Sequence, residues 1–161
     1  MNNQKLNDFK EILRLGMIRN FENDGFLIPV VFFFKNDMPM FSQIPIELLS
    51  TDNGKSILAN IIRKECQEPN VLAAGIIIEA NGAKVVDNNE EAQKVFNGEM
   101  SVSEMKNKQD VIMLFFSTPE EEESFIYCVD IENKKVGELF GGEVMKQMSG
   151  RFTDLFKWNK N

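Results

Sequence analysis

The chain has 161 residues, no histidine, 18 Lys and Arg against 25 Asp and Glu, and a formal net charge of −7. Without histidine there is no imidazole acid–base chemistry, no Ser-His-Asp or Cys-His nucleophile system and no His-ligated zinc. The negative balance, with no run of Lys or Arg, argues against direct binding of nucleic acid or anionic lipid.

The hydrophobic content of 43% and the length fit one globular domain with a real core. Fourteen Phe against one Tyr and one Trp make that core aromatic without buried hydroxyls to satisfy. Cys66 and Cys128 are far apart and form no C-x-x-C pair, which points to a reducing, cytoplasmic location. The start of the chain is polar, with no signal-peptide pattern. The longest apolar run, Phe26–Phe34, contains Pro29 and is too short for a membrane span.

Leu6–Phe21 reads as an amphipathic helix, with Leu6, Phe9, Leu13 and Met17 on one stripe and Ile12 and Ile18 widening it. Gly16 costs helix stability, which suggests close packing against a sheet. Asn23-Asp24-Gly25 is a turn signal. Phe26–Phe34 follows as a strand buried on both faces, where Pro29 favours an edge or a bulge. Lys35-Asn36-Asp37 turns the chain into a shorter strand, Met38–Ile44. Ser50–Asn53 offers helix caps, and Gly54–Cys66 is the helix behind them, with Ile57, Leu58, Ile61 and Ile62 inward.

Val71–Glu79 is a second apolar strand, and its Ala73-Ala74-Gly75 implies close packing over it, by a helix. A polar, irregular stretch runs over about 80–108, with short helices near Asn89–Phe96 and Ser101–Lys106. Val111–Phe116 and Phe125–Val129 flank an acidic hairpin tip, and a short strand follows near Val136–Phe140. The tail, about 144–158, is amphipathic. The expected fold is α+β: a mostly antiparallel sheet of five or six strands, with the two main helices covering one face.

Four patterns bear on chemistry. Gly54-Lys55-Ser56 ends like a phosphate-binding P-loop, but position 49 is Leu where the first glycine belongs, and a capped helix start explains the tripeptide. Ser103-Glu104-Met105-Lys106 fits Ser-x-x-Lys without any companion motif. Glu120–Glu123 is either a solvated tip or a docking surface for a basic partner, including a mimic of nucleic-acid charge. If the strands pair as expected, Glu79, Asp110 and Asp130 reach one sheet end, where three carboxylates could hold Mg²⁺ or Mn²⁺ for a carboxylate-only enzyme. No motif calls for any other cofactor.

The tail either closes the core or docks on a partner. In the second case Phe152, Phe156 and Trp158 carry the interface, together with Glu121 and Glu122 of the acidic tip. Asp24-Gly25-Phe26-Leu27 with Pro29, the strand ending in Glu79-Ala80, and Gly150-Arg151-Phe152 give D-G-x-x-x-P, strand-E-A and G-R-F elements in order. The chain thereby resembles small bacterial and phage proteins carrying these elements, though many of those have Trp where this chain has Asn81. The resemblance implies a phage or mobile-element provenance and a shared fold, and assigns no catalytic residue. The expected function is a non-catalytic interaction protein that binds another protein or a second copy of itself. The alternatives are the metal-dependent enzyme and the acidic mimic.

Overall fold

Helical periodicity at the start of the chain is met by α1 (Asn3–Asp24), whose buried residues are Leu6, Phe9, Leu13, Met17 and Phe21. It ends at Gly25, whose positive φ of 78° lets its N–H turn back to the Phe21 carbonyl. The computed structural model describes residues 3–82, 90–106, 108–146 and 151–157.

Beyond α1 come β1 (Val30–Lys35), β2 (Met38–Gln43), the one-turn α2 (Ile46–Leu49), α3 (Asp52–Glu65) and β3 (Val71–Gly82). A short α4 (Glu90–Phe96) and a 3₁₀ turn at Val102–Glu104 lead to β4 (Gln109–Ser117), β5 (Glu122–Asp130) and β6 (Lys135–Leu139). The six strands form one antiparallel sheet in the order β2-β1-β3-β4-β5-β6. The fold is α+β, as expected.

Strand alternation divides the core in two. Phe32, Phe34, Ala73, Ile77, Ile112, Leu114 and Phe116 face α1. Val31, Ala74 and Ile76 face the other way, against Leu58 and Ile62 of α3 and Leu155 and Phe156 of the tail. The two main helices therefore lie on opposite faces, not on one. An amphipathic stripe fixes which side of a helix is buried, but not which side of the sheet receives it.

Some inward assignments also change. On α3 the buried side chains are Leu58, Ala59 and Ile62, with Gly54 buried at its start, while Ile57 and Ile61, one residue round the helix, are exposed. Ile12 of α1 is exposed as well. The first strand begins only at Val30, after Pro29, and β1 is an inner strand between β2 and β3. Proline thus sits just outside the strand, where its missing donor matters least.

The small residues of β3 make room for aromatic rings. Gly75 pairs with Phe32 on one side and Phe116 on the other, and the two rings stack over it at 5.8 Å. Phe9 of α1 covers both, at 5.7 and 6.1 Å. The close packing comes first from neighbouring strands, with the helix contributing one ring.

Gly54 has a structural explanation. Its N–H donates to the Thr51 hydroxyl at 2.9 Å, capping α3, and a Cβ there would sit 2.8 Å from the Leu48 carbonyl oxygen. Ser101 and Glu104 form a reciprocal capping box on the 3₁₀ turn, and the Ser103 hydroxyl bonds to that of Ser101.

Candidate functional site

The three carboxylates separate. Antiparallel pairing of β3 and β4 sets Glu79 opposite Ile112 and Asp110 opposite Asn81, so these two acids share the α1 face. Tyr127 and Val129 of β5 also face α1, so Asp130, next in the alternation, faces the other way. Its carboxylate accepts bonds from the Asn133 backbone at 3.1 Å and side-chain amide at 2.7 Å, which hold its pKa below the usual value. The expected three-carboxylate metal site is thus not assembled. Among the described residues no group of three or more Cys, Asp or Glu could hold a metal ion. Sharing a sheet end is not sharing a face.

Glu79 has a different task. Its carboxylate accepts the Leu27 N–H at 3.0 Å, fixing the segment that enters β1. Loss of water around the carboxylate raises its pKa, and nearby Asp110 adds to the rise, against the opposing Leu27 bond.

The acidic run also divides. At the tip the Thr118 hydroxyl accepts the N–H groups of Glu120 and Glu121, leaving both glutamates exposed. The pleat then sends the next two apart. Glu123 pairs with Lys10 of α1 in a largely buried ion pair, while Glu122 accepts the Asp154 N–H from the tail. Half of the run is engaged in holding its own fold, which leaves two free charges for an acidic docking surface.

The tail is packed on the α3 face. Leu155 is fully buried, Phe156 nearly so, and Phe152 lies partly buried against the same cluster. Arg63 of α3 donates to the carbonyls of Arg151 and Thr153, and Arg151 pairs with Asp52 at 2.9 Å. Phe152 and Phe156 therefore complete this chain's own core. Trp158 lies outside the described residues.

A surface that the sequence reading missed lies beside β2. Pinning the Leu27 N–H to Glu79 turns the Leu27 side chain inward, so Phe26 and Ile28 on either side project outward, 55% and 54% exposed. Ile12 of α1, at 67%, and Phe41 of β2, at 56%, stand on the other walls. Together they frame a groove of about 490 Å³, floored by Leu13, Met17 and Ile77. Gly16 lines it too, with no atom within 4 Å of where a Cβ would lie, so this glycine opens space and does not serve close packing.

Asp24 is the single charged residue of the lining, which has no Ser, Thr, Cys, Lys or Glu. The groove therefore offers no nucleophile and no acid–base pair. It can act by burying apolar surface, worth about 25 cal/mol per Å². One signal in the sequence pointed to it: the nine-residue apolar run Phe26–Phe34 exceeds the six-residue strand that follows from it.

No protein-family model matches the chain, and no curated protein or solved structure is detectably similar to it. Among the described residues no helix is long and apolar enough to cross a membrane.

Proposed function

We propose that this protein is a non-catalytic interaction protein that binds a polypeptide through the groove between α1 and the β1–β2 hairpin and along the open edge of β2. One observation supports this above the rest. Four large apolar side chains, Ile12, Phe26, Ile28 and Phe41, stand exposed around a nearly uncharged concavity. Contiguous exposed apolar surface of this kind marks interaction sites. Phe152 and Phe156, by contrast, pack against this chain's own core, and Glu122 bonds to its own tail, so the groove is the better-supported surface.

Two free cysteines agree with work in a reducing cytoplasm. The resemblance to small phage and bacterial proteins supports reading it as an accessory protein of a phage or mobile element.

The test compares tagged wild type with a Phe26→Ser/Phe41→Ser variant in source cells, with bound polypeptides identified by mass spectrometry. The expected result is a polypeptide, this chain's untagged copies included, retained by wild type and lost by the variant at unchanged circular dichroism. Identical retention by both proteins removes the groove from the function.

A further inference from the structure

We infer that the polypeptide bound at the β2 edge is a second copy of this chain, joined by antiparallel β2–β2 pairing centred on Phe41. The inference deepens the proposed function and rests on it.

The hydrogen bonds to β1 fix the phase of β2. Ile44 donates its N–H to the Pro29 carbonyl at 2.9 Å, and the β1–β2 register continues that pairing through Val31↔Ser42, Phe33↔Met40 and Lys35↔Met38. The two-residue turn Asn36-Asp37, both with positive φ, closes the hairpin at the last of these pairs. In an antiparallel ladder bonded pairs alternate, so Pro39, Phe41 and Gln43 direct their backbone groups away from β1, to the open edge. That edge offers N–H groups at Phe41 and Gln43 and carbonyls at all three positions, since proline has no donor.

An extended strand is the occupant these groups require. A two-fold pairing centred on Phe41 uses every donor. The Phe41 N–H groups exchange with each other's carbonyls, and each Gln43 N–H meets the Pro39 carbonyl of the other copy. Four bonds form, and only the Gln43 carbonyls at the strand ends are left to water. Phe41 also walls the groove and faces α1, so the pairing joins the two grooves at their rims.

Charge at this edge admits a second copy. A net charge of −7 disfavours self-association, and a contact face nearly free of charge adds no local repulsion to it. Met38–Gln43 carries none, and the adjoining groove has only Asp24. The opposite edge shows the contrast. There β6 carries Lys135 and Glu138 and pairs irregularly with β5, the usual devices against edge association. All six residues of β2 are exposed, and Met40 and Phe41 lie at its centre.

Light scattering on the eluting full-length chain tests this. Wild type is expected at twice its 18.5 kDa mass, and Phe41→Lys at the single mass with the same circular dichroism. In a Cys128→Ser background, F41C is expected to cross-link to a disulfide dimer under mild oxidation, because the two Phe41 positions face each other, and S42C is not. A monomeric wild type at every concentration overturns the inference. So does a dimer that survives Phe41→Lys, or one in which S42C cross-links as readily as F41C. A monomeric wild type that still retains a partner lost in the Phe26→Ser/Phe41→Ser variant overturns self-pairing and leaves the groove reading in place.

Discussion

Phe32 and Phe116 stack face to face at 5.8 Å although their strands are not neighbours. Two strand spacings put their backbones about 9–10 Å apart. The rings meet because the residue between them is Gly75, which has no side chain to hold them off. A Cβ at that position would lie 1.8 Å from the Phe115 carbonyl oxygen and 2.7 Å from the Phe32 ring. Gly75→Ala is therefore expected to lose about 3 kcal/mol or more, since the clash is with backbone and the stack must open. A urea-unfolding midpoint within error of wild type would refute this account of the core.

Gly16 predicts the opposite sign. It lies within α1, beside open space, and costs helix propensity without a packing return. Gly16→Ala should stabilise the fold by roughly 0.5–1 kcal/mol, read from the same unfolding curves. A loss of stability would show that the groove floor is closed in solution.

The Lys10–Glu123 pair joins α1 to β5, and the same ammonium lies 5.8 Å from the centre of the Phe116 ring. Removing either partner strands a largely desolvated charge. Glu123→Gln and Lys10→Met should each cost about 1–3 kcal/mol, and the double variant less than their sum. Strict additivity in a double-mutant cycle would mean that the pair does not hold the helix.

The cysteines should differ sharply in reactivity. Burial pushes the Cys66 thiol up to about 12, so it carries almost no thiolate at neutral pH, while Cys128 is only half-buried. A thiol reagent should label one cysteine quickly in the native protein and the second only on unfolding. Rapid labelling of both, located by peptide mapping, would contradict the packing of α3 on the sheet.

Glu79 sets a pH dependence. Its folded pKa lies above the ordinary 4.5, so the folded state binds the proton more tightly than the unfolded chain. Stability from this group therefore falls as pH rises through the window between 4.5 and the raised value. Glu79→Gln keeps an acceptor for the Leu27 N–H and removes the charge. Its melting temperature relative to wild type should be higher at pH 7 than at pH 4. A difference independent of pH would assign Glu79 a purely steric part.

The strands and the helix periods were legible in the sequence because they are local. The continuous apolar run within Val71–Glu79 and the stripe through Leu6, Phe9, Leu13 and Met17 each follow from neighbours a few residues apart. What was not legible depends on distant partners. The end of the strand before Val30 is set by Glu79, which takes the Leu27 N–H across 52 positions of sequence. Whether Ile12, Phe26 and Ile28 are covered depends on how far the sheet extends beneath α1, which no local pattern records. Glu122 and Glu123 are identical neighbours, and only the pleat sends one to the tail and the other to α1. Asp130 lies at the expected sheet end, but the alternation of β5 turns it to the far face.

The Lys10–Glu123 bond spans 113 residues, and it ties the first helix to a strand near the end of the chain. On the ribosome, α1 emerges long before the last strands that cover it. Its apolar stripe can meet Phe32 and Phe34 of β1 early, but Ile112, Leu114, Phe116, Phe125 and Tyr127 only once β4 and β5 are made, and until then part of it is exposed, which invites aggregation. Full docking of the helix needs β5 to have left the exit tunnel, and a chain truncated or stalled before β4 would leave part of the stripe uncovered.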